Sequence, residues 1–434
     1  MCKLRIPKVV PTRVWVVAPS TARLPIPMST SLDEWLAAQS HSAAHSGAMI
    51  VHVMHGLSNR IRAYASARAL AEATGRTSIA LVWVPDIHCG ARFDDLFDPD
   101  SDLTVFHEFD DTRLLERGDV AIHVVESNGN ARRVAPNGTL GSWENYTSAS
   151  APSLMPQRHL YVRASRALMP SHLGLGAENL TALLLHGNGV AAGGAASAAC
   201  DVRCRLGIRA RAVLQRLRPV AAVRERLEHL TRELEAQGRI GSGGLANSLL
   251  GVHVRMLANL SADVPAIEAT TDRSIDVSAM LNVPRWRMRC NWRSFVQPIR
   301  ESIAQMTRPL VAFVAADTPE AAPALCKALE GTTAEGSATG DEGGVRNRGI
   351  TCAATPAHVL APCYGPERRG VACQRLALVE LYMLARSTRL VVSDMSSFSD
   401  LARALGQLNG KHWRSGCATG RAGGARKVGL QASL

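Results

Sequence analysis

At 434 residues the chain is too long for one compact core and predicts two domains of ordinary size. Hydrophobic residues make up 46% and charged ones 20%, the balance of a soluble globular protein, and no continuous apolar run is long enough to span a bilayer. An aromatic share of only 4% argues against an aromatic-rich barrel, while the net charge of +12 admits a polyanion or a phosphate-bearing small molecule as partner.

Residues 1–46, rich in Pro, Ser, Thr and Ala, predict a loosely ordered lead-in, and the prolines that interrupt its start make it a poor secretory signal. Residues 48–53 then form a short apolar, β-branched run that predicts a buried strand. A Gly-containing turn follows, then a helix over 60–74, with Ile61, Tyr64, Ala65, Ala69 and Ala73 as its apolar stripe and Gly75 as its stop. A second strand over 78–84 completes a strand–helix–strand unit, which implies parallel pairing through a right-handed crossover. Further strands are expected at 103–106 and 120–125, and the Gly/Ala/Ser stretch 187–199 reads as a linker. One helix is predicted over 214–237, with Pro219 in its first turn, and the arginines between Arg203 and Arg232 read as a solvated helical face.

The second half alternates in the same way. Strands are expected at 249–254, 310–315 and 390–393, and helices at 292–306, 319–329, 372–387 and 398–405. Residues 331–349 read as a surface loop and 415–434 as a disordered basic tail. The fold class is therefore α/β, with one domain over 47–213 and another over 214–414, and ligands belong at the carboxyl ends of the parallel strands. The ten cysteines contain no Cys-x-x-Cys pair, and Cys200 and Cys204 lack two further ligands nearby, so no zinc site is expected. The remaining cysteines read as buried small residues or as disulfides.

Four strand ends carry polar groups suited to an anionic ligand. In the turn His55-Gly56-Leu57-Ser58-Asn59-Arg60, free backbone N–H groups and the helix dipole favour an anion, Gly56 permits close approach, and Asn59 and Arg60 add donors. In Gly251-Val252-His253-Val254-Arg255, alternation puts His253 and Arg255 on one face, and the planar fork of Arg255 suits a diphosphate. Ser396, Ser397, Phe398 and Ser399 open a helix and can cap it or cradle phosphate, and no Gly-x-Ser-x-Gly surrounds these serines to make a hydrolase nucleophile. Asp317, ending a strand, can accept from a base or ribose.

These segments carry a resemblance. Gly56-Leu57-Ser58-Asn59-Arg60 is similar to the Gly-x-Gly-Asn loop of GDP-fucose fucosyltransferases, with Ser58 in place of the second glycine. Trp83 through Cys89 with Phe93, Leu96 and Phe97 resembles the segment after that loop, and Gly251 to Arg255 resembles the family's His-x-Arg strand. Phe313 to Asp317 resembles its Phe-Val-Ala-Thr-Asp strand, while Ala377 to Leu381 followed by Ser396 to Ala402 resembles its C-terminal helix and Ser-Ser-Phe-Ser motif. The resemblance spans about residues 47–408 in family order and implies a GT-B fold of two Rossmann-like domains facing each other across a nucleotide-sugar cleft. It implies GDP-fucose as donor, a glycan or protein acceptor hydroxyl, inversion at the anomeric carbon, and no metal or other cofactor. It further implies that Arg255 neutralises the leaving diphosphate and that His253 lines the donor pocket. Asp317 would hold guanine or ribose, and Ser396 to Ser399 with Asn59 would bind phosphate. A secretory lumen is the compartment that the resemblance suggests.

Where relatives continue the His-x-Arg strand with a second Arg and an Asp, Met256, Leu257 and Ala258 stand here. A degenerate nucleotide-sugar binder is therefore the second reading and a polyanion-binding protein the third. His55, Asp86 and Asp263 are the positions for a general base. The Asp-x-Asp pairs at Asp98/Asp100 and Asp100/Asp102 read as a solvated turn rather than a metal site, and Gly193 and Gly194 break the helix that a dinucleotide motif at Gly187 needs. Asn137, Asn145, Asn179 and Asn259 begin glycosylation triplets, which matter only in a secretory lumen.

Overall fold

The computed structural model describes residues 31–41, 47–76, 78–100, 102–110, 114, 117, 119–125, 131–134, 143–146, 159–168, 202–236, 248–256, 291–306, 311–330, 350–364, 369–393, 396–406 and 413–415. Mixed α/β structure is built on two sheets. The first half contains α1 (Leu32–His41), β1 (Ala48–Val53), α2 (Leu57–Ala73), β2 (Ser78–Val82), β3 (Phe97–Asp98), β4 (Leu103–Phe106), β5 (Val120–Val125), β6 (Ala131–Val134), β7 (Trp143–Tyr146) and β8 (His159–Ala164). Its sheet has the order β4-β2-β1-β8-β5-β6-β7, parallel from β4 to β5 and antiparallel beyond. The pairing of β1 with β2 through α2 is the crossover that the strand–helix–strand pattern predicts.

A period of two sorts the side chains of β1 onto two cores. Met49, Val51 and Val53 pack beneath α2, while Ala48 and Ile50 meet Trp35 and Leu36 of α1. The expectation of a loosely ordered lead-in therefore fails for residues 32–41. Its polar composition hides one amphipathic turn whose Trp35 and Leu36 are buried on the sheet, although the helix contains Asp33 and Glu34 at its start.

A single helix over 214–237 is also corrected. Helices α3 (Val202–Arg216) and α4 (Ala221–Ala236) are separated by β9 (Arg218–Pro219), which pairs antiparallel with β3. Pro219 lies ahead of α4, where its missing N–H is harmless, and so breaks the helical run rather than opening it.

The second half comprises β10 (Leu249–Val254), α5 (Arg293–Ala304), β11 (Val311–Ala316), α6 (Ala321–Glu330), β12 (Thr351–Ala354), α7 (Ala357–Leu360), α8 (Val371–Ala385), β13 (Arg389–Val392), α9 (Ser397–Leu405) and β14 (Trp413–Ser415). Its sheet is parallel throughout, in the order β12-β11-β10-β13-β14. Leu250, Val252 and Val254 pack under α5 and α6, and Leu249, Phe313 and Leu390 pack under α8 and α9. Burial on both faces explains the near-continuous apolar runs of β10 and β11. The strand order reverses between β10 and β13, the topological switch point where α/β sheets bind ligands at their carboxyl ends.

Met49 and Tyr64 of the first half share one core cluster with Leu249, Leu384 and Leu401 of the second. Disulfides join Cys326 of α6 to Cys352 of β12, and Cys363 to Cys373 of α8, while Cys89 is a buried thiol. Among the described residues no helix is long and apolar enough to cross a membrane.

Candidate functional site

At the switch point, His253, Arg255 and Ser393 leave adjacent strands beside the first turn of α9. The ring of His253 is buried, with Nδ1 2.7 Å from the Ser399 hydroxyl and its centroid 4.9 Å from that of the Phe398 ring. Ser399 donates its proton to the Ser393 carbonyl at 3.2 Å, so the Nδ1–H of His253 donates to Ser399 and Nε2 keeps its lone pair. Burial, with the Arg255 charge as a second cause, pushes the His253 pKa down to about 3 and holds the imidazole neutral. His253 is therefore neutral, and the cation at this strand end is that of Arg255.

Arg255 follows the last residue of β10. Its backbone N–H donates to Ser393 Oγ at 2.7 Å, and its Nε stands 3.2 Å from Asp317 Oδ2. The side chain remains 39% exposed, so the guanidinium is braced on one edge and accessible on another. Asp317 is more committed than the sequence suggests. Its Oδ1 accepts the Met256 N–H at 2.6 Å, and its own N–H donates to the Val254 carbonyl at 3.2 Å. Asp317 thus fastens the end of β10 and orients Arg255.

A second carboxylate at these strand ends escaped the sequence reading. Glu380 of α8 is buried, with the Thr355 hydroxyl donating to it at 2.9 Å just beyond β12, and burial raises its pKa to about 7. The nearby Tyr364 hydroxyl, 3.4 Å from the Ala316 carbonyl, is pushed up by burial and by the Glu380 and Asp317 charges. The available signal was an acid inside the apolar run 376–384, which helical periodicity alone discounts as a turn of core helix.

In the first half, the turn after β1 is built around a buried arginine. Arg60 is 0% exposed: Nε donates to the His55 carbonyl and a terminal nitrogen to the Val84 carbonyl, both at 2.7 Å, and Asp86 pairs with it at 2.7 Å. Its guanidinium lies over the Trp83 ring, 5.3 Å from the centroid. Trp83 in turn packs on Phe93 and Phe93 on Phe97, so the aromatic residues of that segment form the floor on which Arg60 rests. Arg60 therefore pins two loops together, and its assignment as a ligand donor is corrected, because no part of it reaches solvent.

His55 is the only described residue other than glycine with positive φ, 68°. That left-handed backbone is disfavoured by about 1–2 kcal/mol for a side chain with a Cβ. Gly56 is the opposite case. Its φ of −67° suits any residue, and an added Cβ would meet nothing nearer than the His88 carbonyl at 4.0 Å. The space beside Gly56 is open, at the N-terminus of α2, where Asn59 is partly exposed and its carboxamide bonds no described residue.

An ion pair links a helix of the first half to one of the second. Arg62, in the second turn of α2, pairs with Asp400, in the first turn of α9, at 3.4 Å, so these two helices pack against each other. Ser396 caps α9 through an extended backbone without a side-chain cap bond, so its hydroxyl is not consumed by the helix. The turn 86–90 forms the seam beside them: Gly90 N–H donates to the Arg369 carbonyl at 2.8 Å, and a Cβ on Gly90 would sit 2.9 Å from that oxygen. Arg375 reaches across to the Asp95 carbonyl at 2.8 Å. Asp98 is held by Arg224, while Asp100 and Asp102 flank Arg68, so these acids are spent on ion pairs. No group of three His, Cys, Asp or Glu side chains among the described residues could hold a metal. Asp263 and Asn259 lie outside the described residues.

No family model matches the chain, and no curated protein does. Solved structures similar to it are those of GDP-fucose fucosyltransferases. NodZ alpha-1,6-fucosyltransferase co-crystallized with GDP aligns with TM-score 0.40 and 14% identity over 82% of this chain and 92% of its own. A mutant of Arabidopsis thaliana FUT1 in complex with GDP gives 0.44 and 15% over 88% and 74%, and POFUT1 in complex with GDP gives 0.41 and 14% over 85% and 97%. At TM-scores this low, the function must be argued from the side chains.

Proposed function

We propose that this chain binds GDP-fucose and transfers its fucose to an acceptor hydroxyl with inversion and without a metal. One observation carries the reading: the exposed edge of Arg255 stands beside the first turn of α9, through the Arg255 N–H bond to Ser393, and α9 is itself tied to α2 through Asp400 and Arg62. An N-terminal dipole and a guanidinium together complement a diphosphate. In this reading the GT-B cleft lies between the two sheets. Ser396, Ser397 and Asn59 donate to phosphate oxygens, and His253 and Phe398 wall the donor pocket.

Asp317 holds Arg255 in place. Transfer builds charge on the departing diphosphate, and donors fixed before the reaction stabilise it most in the transition state. The acceptor oxygen attacks the anomeric carbon from the face opposite the diphosphate, which gives inversion.

Titration calorimetry of the intact protein with GDP, ADP and UDP tests the donor site. GDP binding in the micromolar range, unchanged by chelator and at least tenfold tighter than ADP or UDP, is expected. Equal affinity for all three, or binding abolished by chelator, refutes the reading.

A further inference from the structure

Resting on the donor reading above, we propose that His55, with His88 as its outlet to solvent, is the general base that removes the acceptor's proton. Four histidines cluster at the carboxyl end of the first sheet, and the structure separates them by what their ring nitrogens do. His52 Nδ1 is bonded to the Tyr161 hydroxyl at 2.8 Å. His107 is bonded to the Trp83 carbonyl at 3.2 Å and stands 3.3 Å from Asp94. His55 and His88 bond no described residue through their rings, which lie 5.3 Å apart.

The rival base is Asp86, but its carboxylate already accepts the His88 and Cys89 N–H groups at 2.7 and 2.9 Å and pairs with Arg60. Three of its four lone pairs are thus occupied, and its pairing with the Arg60 cation makes it a weaker base. His55 is half-buried beside the open space at Gly56, and the buried Arg60 clamps its carbonyl in the left-handed conformation. A strained backbone held by a dedicated clamp fixes where the imidazole points. The charged or titratable groups facing it are His88 and Asp86 from the loop after β2 and Arg60 from α2. Burial first, then the neighbouring His88, lowers the His55 pKa, so the ring is neutral and able to accept a proton at neutral pH.

The step balances. The acceptor O–H proton moves to a ring nitrogen of His55 as the oxygen bonds to the anomeric carbon. The bond from that carbon to the phosphate oxygen breaks, and its electron pair leaves on the diphosphate beside Arg255. His88, exposed at the rim, then passes the proton to solvent.

The test uses GDP-fucose with water as acceptor, followed by GDP release, on the full chain and on His55→Gly and His88→Gln. His55→Gly relieves the backbone and removes the imidazole. It should keep its melting temperature or gain, bind GDP within about twofold of wild type, and release GDP at least about 100-fold more slowly. Added imidazole should restore part of the rate, and the wild-type acid limb below pH 6.5 should vanish from the His55→Gly profile. His88→Gln should move that limb upward, because a repelling neighbour is gone. Unchanged turnover in His55→Gly, loss of its GDP binding, or a wild type that binds GDP-fucose and releases no GDP at any pH overturns the assignment. Failure of the wild type to bind GDP is a separate result, which refutes the donor reading and this one with it.

Discussion

Arg255→Ala separates a ligand-binding arginine from a structural ion pair. In the folded protein the side chain loses its 3.2 Å contact with Asp317, but Asp317 keeps the Met256 N–H at 2.6 Å, so no carboxylate is left buried and bare. At 39% exposure the ion pair is solvent-screened, and its loss should cost no more than about 1 kcal/mol of stability. That corresponds to a fall of about 2–4 °C in melting temperature. The backbone N–H of residue 255 still donates to Ser393, so the strand end stays in place. Binding should suffer more. A charged partner to a phosphate is worth about 2–4 kcal/mol when desolvated, and the exposed edge argues for the lower end, about 2 kcal/mol or about 30-fold in the Kd for GDP. Turnover should fall further than affinity, because the charge that Arg255 meets is greatest in the transition state. Arg255→Lys should recover only part, since an ammonium cannot bridge two oxygens. Calorimetry with GDP alongside thermal melts provides the assay. A variant that melts many degrees lower with unchanged GDP affinity would falsify the assignment and make Arg255 a fastener of β10.

Three further outcomes follow from the geometry. Glu380 has a folded pKa of about 7 against an ordinary 4.5, so the folded state holds a proton that the unfolded state releases: its stability contribution is complete below pH 4.5 and is lost as pH rises through 7. Glu380→Gln should therefore stabilise the protein by up to about 3 kcal/mol at pH 8 and change little at pH 4.5; equal melting shifts at both pH values would contradict the burial argument. His253, pushed down to about 3, acts in the opposite sense: its contribution is full above pH 6.5 and is lost as pH falls toward 3. Ser399→Ala leaves the Nδ1–H without its acceptor and should cost about 1–3 kcal/mol at pH 7.5, which urea unfolding will detect; no loss would mean that the 2.7 Å bond is not formed in solution. Replacing Cys326 and Cys352 by Ala should cost about 3 kcal/mol through the 26-residue loop they close, and a non-reducing gel shift that is absent in the wild type would deny the bond.

The sequence alone determined the alternation of strands and helices, the strand–turn–helix places where polar groups gather, and their order along the chain. These are local facts, set by periodicity and turn chemistry over a few residues, and β1, β10, β11 and β13 stand where periodicity put them. It could not tell Arg60 from Arg255, both arginines at strand–helix junctions. The difference is what surrounds them: Arg60 is 0% exposed and bonded to Val84, 24 residues on, whereas Arg255 keeps an open edge. It could not show that His253 is held by Ser399, 146 residues away, nor that Asp317 braces a strand end while Glu380 lies buried against Thr355. Nor could it pair the cysteines or break the helix at Pro219. Burial and partners belong to packing between distant segments, and only the tertiary structure decided which polar groups were consumed by the fold and which were left for a ligand.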